Sequence, residues 1–389
     1  MRFDFDKIND RRHTCSSKWD IGDNELPLTI ADMDFETCPE IKNAIIERAM
    51  AGIYGYTEPD DDWYDAYISF YKKRHGFSIE KNWLLFSTGV VPTISSSVRK
   101  LTKKGDYVVV TPPVYNIFYN SIINNGRQPL EVLLLENNGK YEIDFTKLEE
   151  AFSNENTSMF ILCNPANPVG KIWSKDDLVK IGQLAKQYHV VVCSDEIHGE
   201  ITRPGTSYTP FLSINNLNKE VGFAAISVTK AFNLAGIQTS AILVPNPELR
   251  ALINRQINTD EVAEGNVFSY LSASTALTKG EWWLDEMREY VFANRDFAER
   301  YIKKEIPVFK TIAADATYLL WIDIRNLTWE SSAFSEFLRK ETGLLLSKGD
   351  VYGATGKGFL RLNLACPKSL LIDALERLRK GVVAFPKMK

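Results

Sequence analysis

Short apolar runs rich in β-branched residues recur along the chain and alternate with stretches of helical patterning. Several of these runs are apolar almost throughout, which is typical of strands buried on both faces of a mostly parallel sheet. The alternation therefore predicts a doubly wound α/β domain around one mostly parallel, seven-stranded sheet. The predicted strands are Trp83–Ser87, Tyr107–Thr111, Glu131–Leu135, Met159–Cys163, Val190–Ser194, Ala224–Val228 and Ser240–Val244.

The pattern changes at Glu281, where one long helix is predicted as far as Lys304. Shorter alternating segments follow and predict a smaller α+β unit, which the N-terminal residues would complete. We expect a large α/β domain over residues 46–285 and a small α+β domain from residues 1–45 and 286–389. The predicted elements of the small unit are the strands Tyr318–Ile324 and Phe359–Leu364 and the helices Ser331–Thr342 and Lys368–Lys380.

The composition of the chain limits which partners are expected among nucleic acids, membranes and metal ions. The net charge is −4 and lysine and arginine are scattered, so no surface for nucleic acid is predicted. The first six residues lack the apolar core of a signal peptide, and no apolar run is long enough for a transmembrane helix, so no membrane association is expected. Five dispersed cysteines predict a reducing, cytoplasmic location, and the four separated histidines indicate no metal site.

Two polar residues follow predicted strands at the edge where α/β sheets bind ligands. Asp195 ends one apolar run, and Lys230 comes just after another. A lysine amine that forms a Schiff base and a carboxylate that keeps a ring nitrogen protonated are what a pyridine aldehyde cofactor needs. Taken singly, each residue is better explained as an ordinary polar strand end, and only the surrounding motifs favour the cofactor.

A third loop offers an anion site. Gly89, Val90 and Val91 precede a predicted helix, and free backbone N–H groups at a helix start bind phosphate. The hydroxyls of Ser227 and Thr229 would lie near the same anion. A simple turn that opens a helix is the alternative.

Two more loops end at the same edge of the predicted sheet. Tyr115 follows a strand and would stack on a planar ring, or else serve as a core tyrosine. Asn167 lies in a turn formed by two Asn-Pro pairs and a glycine and would donate a hydrogen bond to a ring oxygen, unless the segment is turn chemistry alone.

Taken together and in order, these motifs resemble those of fold-type I pyridoxal-phosphate (PLP) enzymes in the aminotransferase class I/II superfamily. Within it, the chain is similar to the C–S β-lyase branch, which includes cystathionine β-lyase-like and cystalysin-like proteins. The resemblance covers nearly the whole chain. Its motifs lie at residues 31–35, 54–56, 88–92, 112–115, 163–170, 194–198, 227–236 and 359–363.

The resemblance implies a role for each matching residue around PLP. Lys230 would hold the cofactor as a Schiff base and then act as the base at the substrate α-carbon. Asp195 would pair with the ring nitrogen, Tyr115 would stack on the ring beside the substrate, and Asn167 would bond the ring oxygen. His198 would lie near that oxygen, where many aminotransferases have tyrosine.

It also implies a substrate site and a partner. Arg361 would hold the substrate carboxylate with its two-pronged guanidinium, a geometry that lysine cannot reproduce. Tyr56 would reach the cofactor phosphate and substrate of a neighbouring subunit and assist catalysis, so a homodimer with shared sites is expected. Tyr54 is the competing residue for that role.

Three positions depart from the family pattern. Thr29 stands where tryptophan is frequent, and Asn116-Ile117 replaces a proline-rich stretch beside the expected substrate entrance. Gln238 replaces a basic phosphate ligand of many aminotransferases, which argues against a typical aspartate aminotransferase.

The expected activity is α,β-elimination from amino acids with a β-sulfur leaving group, such as L-cystathionine or L-cysteine. The products would be pyruvate, ammonia and a thiol, for example homocysteine or hydrogen sulfide. An aminotransferase would use the same residues, and only the branch-level similarity favours the lyase. A regulatory interaction module that retains the fold is the alternative of another class.

Overall fold

The computed structural model describes residues 1–386. Its strands are β1 (Leu26–Leu28), β2 (Leu84–Ser87), β3 (Tyr107–Val110), β4 (Gln128–Glu131), β5 (Leu135–Asn137), β6 (Lys140–Glu142), β7 (Thr157–Cys163), β8 (Val191–Asp195), β9 (Gly222–Ile226), β10 (Ser240–Leu243), β11 (Lys310–Thr311), β12 (Leu319–Asp323), β13 (Leu344–Lys348) and β14 (Phe359–Asn363).

The helices alternate with these strands along most of the chain. They are α1 (Pro39–Met50), α2 (Asp61–His75), α3 (Val90–Leu101), α4 (Ile117–Ile123), α5 (Phe145–Phe152), α6 (Lys175–Gln187), α7 (Asn216–Val221), α8 (Pro247–Thr259), α9 (Ser269–Lys279), α10 (Glu281–Glu305), α11 (Ser331–Thr342) and α12 (Lys368–Ala384).

The large sheet has seven strands in the order β2-β10-β9-β8-β7-β3-β4. All neighbouring pairs are parallel except the two that involve β10, which is antiparallel to β2 and β9. Because strand order departs from chain order and helices form the crossovers, the predicted doubly wound, mostly parallel sheet is confirmed.

Both faces of the central strands of the sheet are buried, which explains why these strands are largely apolar. In β7, Met159 and Ile161 pack into the core that contains α3, α4 and α8, whereas Phe160 and Leu162 face the larger core on the opposite side. Successive side chains point to opposite faces of a strand, so neither face tolerates a polar residue. Polar groups are therefore confined to the strand ends.

Most strand bounds differ from the predictions by one or two residues, and two of the differences have consequences. The predicted strand Glu131–Leu135 is wrong as drawn, because β4 ends at Glu131 and Leu135 starts the separate β5–β6 hairpin. The apolar run before Lys230 continues to Val228, but β9 ends at Ile226. Lys230 therefore lies in a turn beyond the end of the strand. Its side chain does not have to follow the alternating side-chain directions of the sheet.

A second sheet has the order β1-β13-β14-β12-β11, with α11 and α12 packed beside it. Its edge strand β1 comes from the N-terminal part of the chain and pairs in parallel with β13. The predicted α+β content of this region is thus present. The predicted domain boundaries at residues 46 and 285 fall inside α1 and α10, and the division itself stays a prediction.

Among residues 1–386, no helix combines the length and apolarity that crossing a bilayer requires. Within the same range, no group of three or more His, Cys, Asp or Glu side chains is arranged to hold a metal ion.

Candidate active site

A cavity of about 430 Å³ lies beyond the carboxyl ends of the large sheet's parallel strands. It also borders β14 of the second sheet, because the Arg361 side chain reaches it. Of the twelve residues predicted for the site, ten line this one cavity. They are Gly89, Val90, Val91, Tyr115, Asn167, Asp195, His198, Thr229, Lys230 and Arg361.

Asp195 forms the floor of the cavity at the end of β8 and is only 4% exposed. Its Oδ1 accepts a hydrogen bond of 3.1 Å from the Ile197 N–H. Within the described chain, no basic side-chain nitrogen lies within 4 Å of this carboxylate, although the more distant Lys230 attracts it. Burial raises the pKa of Asp195 to about 7. The carboxylate thus faces the cavity without a close cation, which is a costly arrangement.

Lys230 lies in the turn after β9, and its Nζ donates a hydrogen bond of 2.6 Å to the Ala31 carbonyl. Burial lowers the pKa of the amine to about 8. The positive charge of Arg361 acts in the same direction, whereas the carboxylates of Asp32 and Asp195 oppose it. An amine with this pKa is partly unprotonated near neutral pH and can act as a nucleophile or base.

Arg361 is 5% exposed and reaches the cavity from β14. Its Nη1 donates to Asn167 Oδ1 at 3.2 Å, and its Nη2 donates to the Thr29 carbonyl at 3.0 Å. Its buried Nε has no hydrogen-bond partner within residues 1–386, and the guanidinium lies 5.1 Å from the Tyr352 ring centroid. A cation held this way retains capacity for a carboxylate ligand.

The Asn167 loop is fixed by the strand before it. The Asn167 N–H donates to Cys163 Sγ at 3.3 Å, and Trp173 Nε1 donates to the Cys163 carbonyl at 2.8 Å. Gly170 ends the loop with φ +67°, and a Cβ there would lie 2.5 Å from Ala314 Cβ. Because Asn167 Oδ1 accepts from Arg361, its Nδ2 remains available to donate into the cavity.

His198 is buried at the cavity wall, with the Tyr318 ring centroid 6.1 Å away. Burial lowers its pKa to about 3, and the charges of Lys230 and Arg361 contribute. The imidazole is therefore neutral at physiological pH. Its Nδ1 is buried without a partner within the described residues, so the ring has a polar atom that the protein leaves unsatisfied.

The start of α3, for which an anion site is predicted, borders the cavity. The first amides of a helix have no intrahelical acceptor, and those of Val90 and Val91 lie at the cavity. Thr229 also lines the cavity, whereas Ser227 does not. Ser227 Oγ donates to the Thr239 carbonyl at 2.7 Å and lies 2.8 Å from Thr229 Oγ1, so it orients the threonine.

Tyr56 and Tyr54 are not brought to the cavity of their own chain. Tyr56 is fully exposed, and Tyr54 donates through its hydroxyl to the Ala49 carbonyl at 2.7 Å. The predicted roles of both tyrosines in a neighbouring subunit stay predictions. Gln238, the residue that replaces a basic phosphate ligand, lines the cavity in the left-handed region at φ +56°.

Sequence reasoning missed Glu196, a buried carboxylate directly after Asp195. It accepts hydrogen bonds from the Phe211 N–H and Ser194 Oγ, both at 2.8 Å, and burial raises its pKa to about 7. Its place in the quoted 194–198 motif was the available signal. Tyr318 and Asp32 were also missed as neighbours of Lys230, because only long-range packing brings them there.

The lining fits pyridoxal 5′-phosphate, the cofactor expected from the sequence. Asp195 is a buried carboxylate that lacks a close cation, which a protonated ring nitrogen would supply. Lys230 offers an amine for the aldehyde, and the start of α3 offers N–H groups for the phosphate. The unsatisfied Nδ1 of His198 shows that the cavity wall has unused polar capacity.

Comparison with known proteins agrees with this fit. Residues 23–378 match the family model for aminotransferase class I and II. Cystathionine beta-lyase PatB of Bacillus subtilis (strain 168) is 38% identical over 384 residues, which cover 97% of this chain and 99% of PatB.

Solved structures show the same relationship. Cystalysin from Treponema denticola, which contains a pyridoxal 5′-phosphate cofactor, superposes with a TM-score of 0.95 at 32% identity, covering 98% of this chain and 99% of that one. A PLP-bound C–S lyase from Staphylococcus hominis superposes with a TM-score of 0.92 at 31% identity, covering 98% of both chains. As its sequence motifs predicted, the chain belongs to the aminotransferase class I and II family.

Proposed function

We propose that this protein is a PLP-dependent carbon–sulfur β-lyase, which releases a thiol, pyruvate and ammonia from an amino acid with a β-sulfur substituent. The observation that carries the proposal is the meeting, in one cavity, of an uncompensated buried carboxylate, Asp195, with the low-pKa amine of Lys230 and the guanidinium of Arg361. The names of PatB, cystalysin and the Staphylococcus lyase favour elimination over amino transfer.

Cofactor contacts follow from the lining. Lys230 would hold the aldehyde carbon, Asp195 the ring nitrogen, and the amides of Val90 and Val91 the phosphate. Tyr115 would cover one ring face. When bound, the cofactor supplies an electron sink that makes the substrate α-hydrogen acidic.

A second group of contacts surrounds the ring oxygen and the phosphate. Asn167 Nδ2 and the neutral His198 would donate to the ring oxygen, and Gly89, Thr229 and Ser227 complete the phosphate end. Ser227 contributes through Thr229, since its own hydroxyl is bonded to the Thr239 carbonyl.

Lys230 is the proposed base at the substrate α-carbon. Its burial keeps part of the amine unprotonated near neutral pH, so Nζ can take the proton. The Ala31 carbonyl, which already accepts from Nζ, would stabilise the resulting ammonium. That ammonium can then protonate the leaving thiolate, a task for which Tyr56 is the competing donor.

Arg361 orients the substrate. The guanidinium is held by the Thr29 carbonyl and by Asn167, which fixes the direction of its remaining N–H groups. A substrate carboxylate bound there would place the α-carbon toward Lys230. The released enamine hydrolyses with water to pyruvate and ammonia.

We further propose that the active unit is a cytoplasmic homodimer. Tyr56 is fully exposed in the single chain, and the flank of the cavity at Ala235 and Gln238 is exposed as well. A second copy would cover that flank and bring its Tyr56 to the phosphate and substrate. The free cysteines in the described residues fit a reducing compartment.

The test is a paired measurement on purified protein, namely the near-visible absorbance spectrum and pyruvate release from L-cystathionine without any keto acid. A lyase shows the absorbance and releases pyruvate under these conditions. Turnover only after a keto acid is added would mean an aminotransferase. Absorbance without any turnover would favour the regulatory alternative, and no absorbance after cofactor addition would overturn the chemistry proposed for Lys230.

A further inference from the structure

The segment Thr29–Phe35, here called the carbonyl strap, contacts both cations of the cavity through its backbone. The Thr29 carbonyl accepts from Arg361 Nη2 at 3.0 Å. The Ala31 carbonyl accepts from Lys230 Nζ at 2.6 Å and from the Tyr318 hydroxyl at 3.0 Å. The position of one short segment therefore sets the positions of the proposed base and the proposed carboxylate clamp.

The carbonyl strap is fastened by a buried cluster of charges at Asp34. The Asp34 side chain is 1% exposed, and Lys18 Nζ, which is fully buried, donates to its Oδ2 at 2.8 Å. Its Oδ1 accepts from Arg11 Nη1 at 2.8 Å and from Trp19 Nε1 at 2.7 Å.

Asp32 completes this cluster and balances its charge. Arg11 Nη2 donates to Asp32 Oδ2 at 2.7 Å, and Lys18 Nζ lies 3.4 Å from Asp32 Oδ1. Two carboxylates thus face two cations. Buried ion pairs of this kind add little net stability, but removing one member leaves an uncompensated charge. Fixing one arrangement of the backbone is the contribution that such a cluster makes.

Two asparagines tie the carbonyl strap to the elements that carry the cations. Asn363, two residues after Arg361, donates through Nδ2 to the carbonyls of Ile30 and Asp32, both at 2.7 Å. Asn233, three residues after Lys230, bonds both to the Met33 N–H at 3.0 Å and to the Met33 carbonyl at 3.1 Å. The strap is therefore a bridge between β14 and the lysine turn.

We infer that Asp32 and Asp34 are positioning residues, which hold the carbonyl strap so that its Thr29 and Ala31 carbonyls align Arg361 and Lys230. The inference rests on the proposed function for the meaning of those two cations. Neither carboxylate lines the cavity, so both would affect the alignment of the two cations through the strap. Asp32 has a second effect, since its negative charge favours the protonated form of Lys230.

Several groups face Lys230 and bear on its titration. Asp32 contributes from the strap, Asp195 from β8 and Arg361 from β14, while His198 lies at the cavity wall and the Tyr318 hydroxyl donates to the same Ala31 carbonyl as Lys230. Replacing Asp32 alone changes one charge and leaves the other groups in place. A shift in the titration of the lysine would therefore report on Asp32 directly.

The experiment compares Asp32→Asn and Asp34→Asn with Glu36→Gln. Glu36 is a matched control, because it is an acidic residue just past the carbonyl strap whose 30%-exposed side chain pairs with the surface residues Lys7 and Lys42. In cofactor-free protein, the pH midpoint for modification of Lys230 by an amine-reactive reagent is followed by peptide mass spectrometry. In cofactor-loaded protein, KM and kcat for L-cystathionine are measured.

We expect Asp32→Asn to lower the pH midpoint of Lys230 by about one unit, because a nearby negative charge is lost. Both strap variants should raise KM about tenfold, as expected when a charged hydrogen bond to the substrate is misaligned. Glu36→Gln should match the wild type in both measurements. A folded Asp32→Asn protein whose midpoint and KM equal those of the wild type would overturn the inference.

A variant that does not fold and a wild-type protein that releases no pyruvate lead to different conclusions. Asp34→Asn leaves Lys18 buried beside a neutral side chain, and this variant could fail to fold. In that case Asp32→Asn decides, because the Asp32 side chain is 19% exposed and its replacement disturbs the buried cluster less. If the wild type releases no pyruvate, the proposed function fails, while the cofactor-free midpoint still confirms or refutes the effect of Asp32.

Discussion

The floor and the flank of the cavity differ sharply. On the floor, Asp195, Asn167 and His198 are almost completely buried and held by the strand ends of the large sheet. On the flank, Ala235 and Gln238 are exposed, and the fully exposed Tyr56 lies away from the cavity of its own chain. One chain thus buries the charged groups of the cavity but leaves the flank of the cavity exposed.

The floor is held by a network that reaches below it. Glu196 binds the loop after β7 through Asn164 Nδ2 at 3.4 Å, and it also accepts from the Tyr208 hydroxyl at 3.3 Å and from the Phe211 N–H. A fully bonded buried carboxylate fixes the backbone on both sides of Asp195. The flank has no comparable network within the described residues, so substitutions should affect the two regions very differently.

The largest effect is expected at Lys230, which lines the cavity and is the proposed attachment point for the cofactor. Lys230→Ala should lower kcat/KM for L-cystathionine by about a thousandfold or more, since both the attachment point and the base are lost. The near-visible absorbance should disappear with it. Lys100→Ala, at an exposed position of α3, is the control, and full turnover by Lys230→Ala would refute the assignment.

Asp195→Asn should lower kcat/KM about a hundredfold. A carboxylate typically raises the pKa of a neighbouring cationic group by one to three units. The neutral amide lacks this charge and cannot hold the ring nitrogen protonated. Absorbance should persist, because Lys230 is untouched. An activity within threefold of the wild type would show that Asp195 does not pair with the ring.

The same substitution should stabilise the cofactor-free protein at high pH. Burial raises the pKa of Asp195 from its ordinary value of 3.8 to about 7, so its contribution to stability is present below the ordinary value and is lost as pH rises through about 7. Asp195→Asn avoids that loss, which is on the order of 4 kcal/mol in the free energy of unfolding at pH 8 and near zero at pH 4. Denaturant unfolding at both pH values measures it, with Asp23→Asn as an exposed control.

Arg361→Lys should raise KM about tenfold and change kcat less. Lysine keeps the positive charge but cannot bond Asn167, the Thr29 carbonyl and a carboxylate at once. Steady-state kinetics with L-cystathionine separates the two constants. If cofactor affinity falls instead, measured by absorbance titration, Arg361 has a role other than substrate binding.

The smallest effect is expected on the flank. Tyr56→Phe removes one hydroxyl and should cost about three- to tenfold in kcat/KM, the value of one hydrogen bond. The sharper measurement mixes weakened Tyr56→Ala chains with inactive Lys230→Ala chains under conditions of subunit exchange. If sites are shared, mixed dimers regain one intact site and up to about a quarter of wild-type activity. Absence of recovery, with exchange verified, would mean that each site belongs to a single chain.

The sequence predicted the floor well because its signals are local. Apolar runs mark the strands, and the first polar residues after them mark the cavity edge, which is how Asp195, Asn167 and Tyr115 could be found. Lys230 was located too, even though β9 ends earlier than the apolar run suggested. Each of these positions depends on a strand end and on little else.

Other features depend on contacts between distant parts of the chain and could not be predicted. The pairing of Lys18 with Asp34 and the placement of the Ala31 carbonyl against Lys230 need the N-terminal segment to fold across the lysine turn. The β5–β6 hairpin was missed because the apolar run continues past the end of β4. No periodicity encodes such long-range contacts.

Helix α10 contacts the two segments that follow Lys230 and Arg361 in the chain. Near its start, the Trp283 ring stacks on Phe232, two residues after Lys230, with centroids 6.0 Å apart. Farther along, Asn294 Nδ2 donates to the Leu364 carbonyl at 3.0 Å, beyond the Arg361 strand. Between Trp283 and Asn294 the helix is about 17 Å long, at about 1.5 Å per residue, and it links the lysine turn to the end of the Arg361 strand. One inserted residue would turn its far half by about 100°, so the helix holds the lysine turn and the end of β14 at one spacing, although no residue of α10 lines the cavity.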